Sequence, residues 1–147
     1  MALFSRIPFD KKQIEAAIVR LEQQTSAELR VYIERHIPKS SNSVLEQALS
    51  VFQKLEMTAT EASNGVLIYI AYKDHQCAII GDEGIHQYVG ENFWQAQCTE
   101  MTNHFSQKVY TEGVVNIIDN IAQVLAQYFP IQPNDRNELD NEVIIND

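Results

Sequence analysis

Between Asn64 and Gly84 the chain carries two apolar runs separated by four polar residues. Val66 to Tyr72 is apolar at nearly every position, Lys73-Asp74-His75-Gln76 interrupts, and Cys77-Ala78-Ile79-Ile80 resumes. A strand with one face in water alternates apolar with polar residues, so an unbroken apolar strand is one covered by helices on both faces. A polar link of four residues is too short for a crossover and returns the chain antiparallel. The segment therefore predicts a buried hairpin at the centre of a layered α/β domain. The second strand ends in an acidic, glycine-flanked loop, Gly81-Asp82-Glu83-Gly84.

The flanking sequence supplies the layers. Asp10 stands where a helix N-cap belongs, and Ile14, Ala17, Ile18 and Leu21 follow at the spacing of one helical face, predicting a first helix to about Gln24. From Glu28 to Glu34 the period changes to two, with Leu29, Val31 and Ile33 on one side and Glu28, Arg30, Tyr32 and Glu34 on the other. A polar loop follows, and Ser43 caps a second predicted helix carrying Val44, Ala48, Val51, Phe52 and Leu55. Beyond Gly84 everything reads as helix: a short piece near Ile85 to Val89, then Trp94, Cys98, Met101 and Phe105, then Val114 to Tyr128. Phe129-Pro130 closes the domain.

A chain of 147 residues with 45% hydrophobic content can build one ordinary core without a metal or disulfide staple. Residues 1–133 are read as that single domain and 134–147 as a polar tail that wraps the surface or frays. Twenty acidic residues against eleven basic ones give a net charge of -9, which repels phosphate backbones, so nucleic acid is not an expected partner. No run of about 18 apolar residues occurs and the opening residues lack a signal-like apolar stretch, so the expectation is a cytoplasmic chain without membrane insertion. Cys77 and Cys98 form no CxxC pattern and are read as free thiols. The four histidines lack metal-ligand spacing, which disfavours zinc.

Topology then gathers oxygen atoms. A helical crossover between the first two strands makes them parallel, so Glu28 and Asn64 begin at the same edge of the sheet. The antiparallel return brings Asp82 and Glu83 to that edge as well, and Thr60 and Glu61 lie just ahead of Asn64. Asp82, Glu83, Glu28 and Asn64 are therefore candidate ligands for a hard divalent cation. Calcium takes six to eight oxygens from carboxylates, amides, carbonyls and water, whereas magnesium keeps most of its waters, so calcium is the expected ion and no organic cofactor is called for. Each residue also has a structural reading. Asp82 can serve only as an N-cap for the helix after it, and Glu28 can be a solvated or paired strand end.

In order along the chain stand Thr25-Ser26-Ala27-Glu28-Leu29-Arg30-Val31, Asn64-Gly65-Val66-Leu67-Ile68-Tyr69-Ile70-Ala71, Gly81-Asp82-Glu83-Gly84-Ile85, Phe93-Trp94 and Asn137-Glu138-Leu139. Together they resemble the TPM domain family, in a short soluble form without signal peptide or membrane span. The resemblance implies a three-layer α/β/α sandwich with a small mixed sheet, an acidic cleft that binds divalent cations, and phosphatase activity. Where soluble relatives often carry Pro before the Phe-Trp helix and an acid after it, this chain has Gly90 and Gln95, one oxygen ligand fewer.

Phosphatase chemistry finds no motif of its own here. Six positions after Cys98 stands His104 and six after Cys77 stands Glu83, so neither cysteine belongs to a CxxxxxR nucleophile loop. DxDxT, GxSxG and GxxxxGK[ST] patterns are also missing. Only metal-assisted hydrolysis remains, and a lone calcium polarises water weakly. The primary expectation is a cation-binding regulatory or interaction module whose acidic cleft engages a protein partner. A weak metal-dependent phosphomonoesterase is the alternative.

Overall fold

A computed structural model describes residues 7–133 and 137–146, and in it the hairpin forms one half of a four-stranded sheet. In chain order the elements are α1 (Lys11–Glu22), β1 (Glu28–Glu34), α2 (Val44–Lys54), β2 (Gly65–Ala71), β3 (Gln76–Gly81), α3 (Glu83–Ser106), α4 (Tyr110–Tyr128) and β4 (Ile144–Asn146). The strand order is β3-β2-β1-β4. β1 and β2 run parallel from Glu28 opposite Gly65 to Glu34 opposite Ala71, while β2 and β3 run antiparallel with Val66 opposite Gly81. The link between them is a single 3₁₀ turn over Tyr72–Asp74, closed by His75 in the left-handed region at φ 53°. The mixed sheet expected from the apolar runs is thus present.

β2 is buried at all seven positions because helices cover both faces. One face packs Leu29, Val31, Ile33, Val66, Ile68 and Ile70 against Ile14, Ile18 and Leu21 of α1, Trp94, Met101 and Phe105 of α3, and Ile117, Ile121 and Leu125 of α4. The opposite face packs Tyr32, Leu67, Tyr69 and Ala78 under Ala48, Val51 and Phe52 of α2. Each such aliphatic side chain contributes roughly 1.5–3 kcal/mol when fully buried, so the two faces together dominate stability. The predicted caps hold: Asp10 accepts the Gln13 N–H and Ser43 accepts the Glu46 N–H. Gly90, at φ 73°, breaks α3 between the short leading piece and the long segment, as the gap in the apolar pattern after Val89 suggests.

For the segment expected to wrap the surface or fray, the described part is partly packed. Residues 134–136 lie outside the described residues, but 137–146 seat Leu139 and Val143 in the core and add β4 in parallel to β1. Carboxylates clasp this segment. Glu15 accepts the Val143 N–H at 2.9 Å, and Glu34 accepts the Asn146 side-chain amide at 2.8 Å together with Tyr69 Oη–H at 2.6 Å and Gln47 Nε2–H at 3.0 Å. Glu34, read from alternation as pointing away from the main core, is buried because α2 and β4 close over it. Among the described residues no helix is long and apolar enough to cross a membrane.

Candidate functional site

Main-chain hydrogen bonds bring the backbones of Glu28, Asn64 and Asp82, three of the four candidate residues, to one edge of the sheet, with Glu83 following Asp82. Glu28 N–H donates to the Asn64 carbonyl at 3.2 Å, and Asp82 N–H donates to the Gly65 carbonyl at 2.9 Å. Register puts Glu28, Gly65 and Asp82 abreast across β1, β2 and the end of β3. With strands about 4.8 Å apart, roughly 10 Å separates the two outer Cα atoms. Gly65 leaves the space between them without a side chain, and the Met57 carbonyl occupies it: a Cβ on Gly65 would lie 2.6 Å from that oxygen.

Each acid at the rim has a different environment. Asp82 is buried at 8% exposure, and one of its oxygens, Oδ1, accepts the Glu83 N–H at 2.8 Å as the N-cap of α3. Its other oxygen, Oδ2, is buried with no donor among the described residues. Asn64 donates its Nδ2 amide to the Ser26 carbonyl at 3.1 Å and its N–H to Thr60 Oγ1 at 3.1 Å, and its Oδ1 is likewise buried with no donor among the described residues. Glu83 is exposed, and its backbone, not its carboxylate, serves the rim.

Glu28 is the residue whose role the sequence leaves most open. The residue is 3% exposed, and its carboxylate is taken by the chain end: Oε1 accepts the Leu139 N–H at 2.6 Å and the Glu138 N–H at 2.8 Å, and Oε2 shares the latter at 2.9 Å. A carboxylate offers about four acceptor positions, so three of them are spent on the backbone. Burial pushes its carboxyl above the usual range, and the two N–H bonds pull it back. The neighbouring Glu22 lines a hollow of about 220 Å³ with Thr25, Ser26, Glu28 and Asn137. Burial raises the Glu22 carboxyl to about 7, opposed by the Asn141 amide and reinforced by the charge on Glu28.

A carboxyl whose folded value is about 7 against an ordinary 4.5 is protonated more readily in the folded chain. Its contribution to stability is fully present below pH 4.5 and is lost as pH rises through about 7. Solvent screening of this half-buried group limits the effect to about 1–2 kcal/mol. Glu22→Gln should therefore raise the melting midpoint by roughly 3–6 °C at pH 8 and leave it unchanged near pH 4. Thermal melts at the two pH values check this, and an equal shift at both would refute the assignment.

Among the described residues no group of three or more His, Cys, Asp and Glu side chains is close enough to hold an ion. Oxygen for a cation at this rim would come mainly from Asn64, Asp82, main-chain carbonyls and water, with exposed Glu83 nearby. The Met57 carbonyl is one such atom that side-chain reasoning misses; its only signal in the sequence is the glycine at position 65. Cys77 and Cys98 are free, and the Cys77 thiol donates to the Cys98 carbonyl at 3.7 Å. The neighbouring Cys98 thiol and burial push the Cys77 thiol well above its usual range.

A small mixed sheet with helices on both faces and an acid-bearing loop at the β3–α3 junction defines an α/β sandwich whose parts match a known family. A model of the TPM domain matches residues 4–124, and the chain belongs to that family. It is similar to the BA42 protein of the psychrophilic bacterium Bizionia argentinensis, solved by NMR, at 35% identity over 92% of both chains with a TM-score of 0.83. The N-terminal domain of a P. gingivalis protein is 17% identical over 82% of this chain and 78% of its own, with a TM-score of 0.68. The N-terminal domain of the cg2496 protein of Corynebacterium glutamicum is 11% identical over 86% of this chain and 80% of its own, with a TM-score of 0.60. The last two show the shared fold alone. No curated protein matches the chain.

Proposed function

We propose that this TPM domain is a cation-binding module that takes calcium in preference to magnesium at the rim formed by Asn64 and Asp82. The observation that carries the reading is that two buried acceptors, Asn64 Oδ1 and Asp82 Oδ2, meet no donor among the described residues. A buried acceptor without a partner costs about 1–3 kcal/mol, and a hard cation removes that cost. Carbonyl oxygens such as that of Met57, and water, complete a flexible shell of the kind calcium accepts and magnesium does not. Glu28 acts mainly by holding the chain end beside the rim, and exposed Glu83 adds charge or one outer ligand. Hydrolysis is the weaker reading, because a lone calcium polarises water too weakly to make a good nucleophile of it.

Calorimetric titration of calcium and magnesium into the wild type and Asp82→Asn tests the reading. Asn caps helices as well as Asp does, so the variant keeps its fold and loses only the anionic oxygen. Saturable calcium binding should weaken at least about tenfold in the variant, with magnesium weaker than calcium in the wild type. Equal heats in both proteins would remove the site.

A further inference from the structure

β3 is an edge strand, and a groove runs along its free side. The groove measures about 1040 Å³ and has residues Cys77 to Gly81 as its floor. One wall is α2, with Val44, Leu45, Leu49 and Phe52; the other is α3, with Trp94, Gln95, Cys98 and Thr99. Leu45 and Leu49 are 47% and 45% exposed, large apolar side chains without cover.

The ladder fixes which backbone groups face the groove. The Asp82 N–H bond to Gly65 makes 65 and 82 a hydrogen-bonded pair, and in an antiparallel ladder such pairs alternate. Ile80, Ala78 and Gln76 therefore bond to β2, and Cys77, Ile79 and Gly81 direct their N–H and C=O groups outward. Edge strands are normally protected by Lys, Pro, a bulge or a covering segment. Gln76-Cys77-Ala78-Ile79-Ile80-Gly81 contains no charge and no proline. A further donor lies beside it: Trp94 is 4% exposed, its Nε1–H has no acceptor among the described residues, and the ring carbon bearing that nitrogen packs against Gly81.

We propose that this groove binds an extended peptide segment of a partner protein as a fifth strand on β3, an apolar segment flanked by Lys or Arg. Main-chain bonds to Cys77, Ile79 and Gly81 would supply affinity, and alternate side chains would fall toward α2 and toward α3. Charge selects the occupant. Among the described residues the groove is lined by Asp82, Glu83 and Glu91, with His86 beside them and no Lys or Arg, in a chain of net charge -9. A second copy of this chain would set those acids against their equals and drive α2 and α3 of one copy into those of the other. The inference stands on the edge strand and its walls, independently of any ion at the rim.

The test is selection of a displayed library of random twelve-residue peptides on the full chain, followed by amide hydrogen exchange with the enriched peptides. The expected result is enrichment of alternating apolar sequences with flanking Lys or Arg. Exchange at Cys77, Ile79 and Gly81 should slow at least tenfold on binding, and Glu91→Lys should weaken affinity about tenfold. Leu49→Glu, at an exposed position that leaves the melting midpoint intact, should abolish enrichment. The proposal is overturned by no enrichment over Leu49→Glu, by enrichment of acidic peptides, or by binding that leaves those three amides unprotected. Concentration-dependent dimerisation that protects them without peptide would also overturn it, in favour of a second copy.

Discussion

Glu28→Ala should cost about 4 kcal/mol of stability and lower the melting midpoint by roughly 10 °C. The carboxylate accepts the N–H groups of Glu138 and Leu139 across more than a hundred residues of chain, and the Leu139 bond is buried. Truncation leaves those donors without a partner, at about 1–3 kcal/mol each, and loosens Leu139 and Val143, both seated in the core. Glu28→Gln keeps an acceptor oxygen and should lose less than half as much. Chemical denaturation measures the loss, and hydrogen exchange locates it: amides from Leu139 to Ile145 should open before those of β1. A midpoint within 2 °C of the wild type, with the chain end still protected, would show that Glu28 does not hold it.

Gly84→Ala should be the second large effect, about 3 kcal/mol, because the added methyl has nowhere to go. Its Cβ would collide with the Ala62 carbonyl and come within 2.5 Å of the Ser63 carbonyl, both backbone atoms that cannot rotate aside. The Gly84 N–H also donates to that Ser63 oxygen at 2.8 Å, so the loop before β2 and the start of α3 would have to separate. Asn64 and Asp82 flank this junction, and calcium affinity should fall together with stability. Urea titration and calorimetry on the same variant check both, and a stable variant with unchanged calcium heats would contradict the geometry.

The elements that position the rim were legible because their signals are local. The caps Asp10, Ser43 and Asp82, the alternation of β1 and the apolar run of β2 each depend on a few neighbouring residues. The parallel and antiparallel pairings followed from linker lengths. β4 was not legible, since a three-residue strand at Ile144–Asn146 leaves only a short apolar patch at the end of a polar segment. Nor was the engagement of Glu28: its partners are main-chain N–H groups, which every residue but proline carries, so nothing in Glu138 or Leu139 marks them as donors. The division of Asp82 into a capping oxygen and an unpaired one is visible only once both atoms are placed.

Crystals of the protein grown with calcium test the central claim most directly. The predicted result is a cation peak with Asp82 Oδ2 and Asn64 Oδ1 at about 2.3–2.6 Å, the calcium–oxygen range, and the Glu28 carboxylate still on the Glu138 and Leu139 amides. A rim with no peak, or an ion bound elsewhere while those two oxygens keep only protein or water donors, would contradict it.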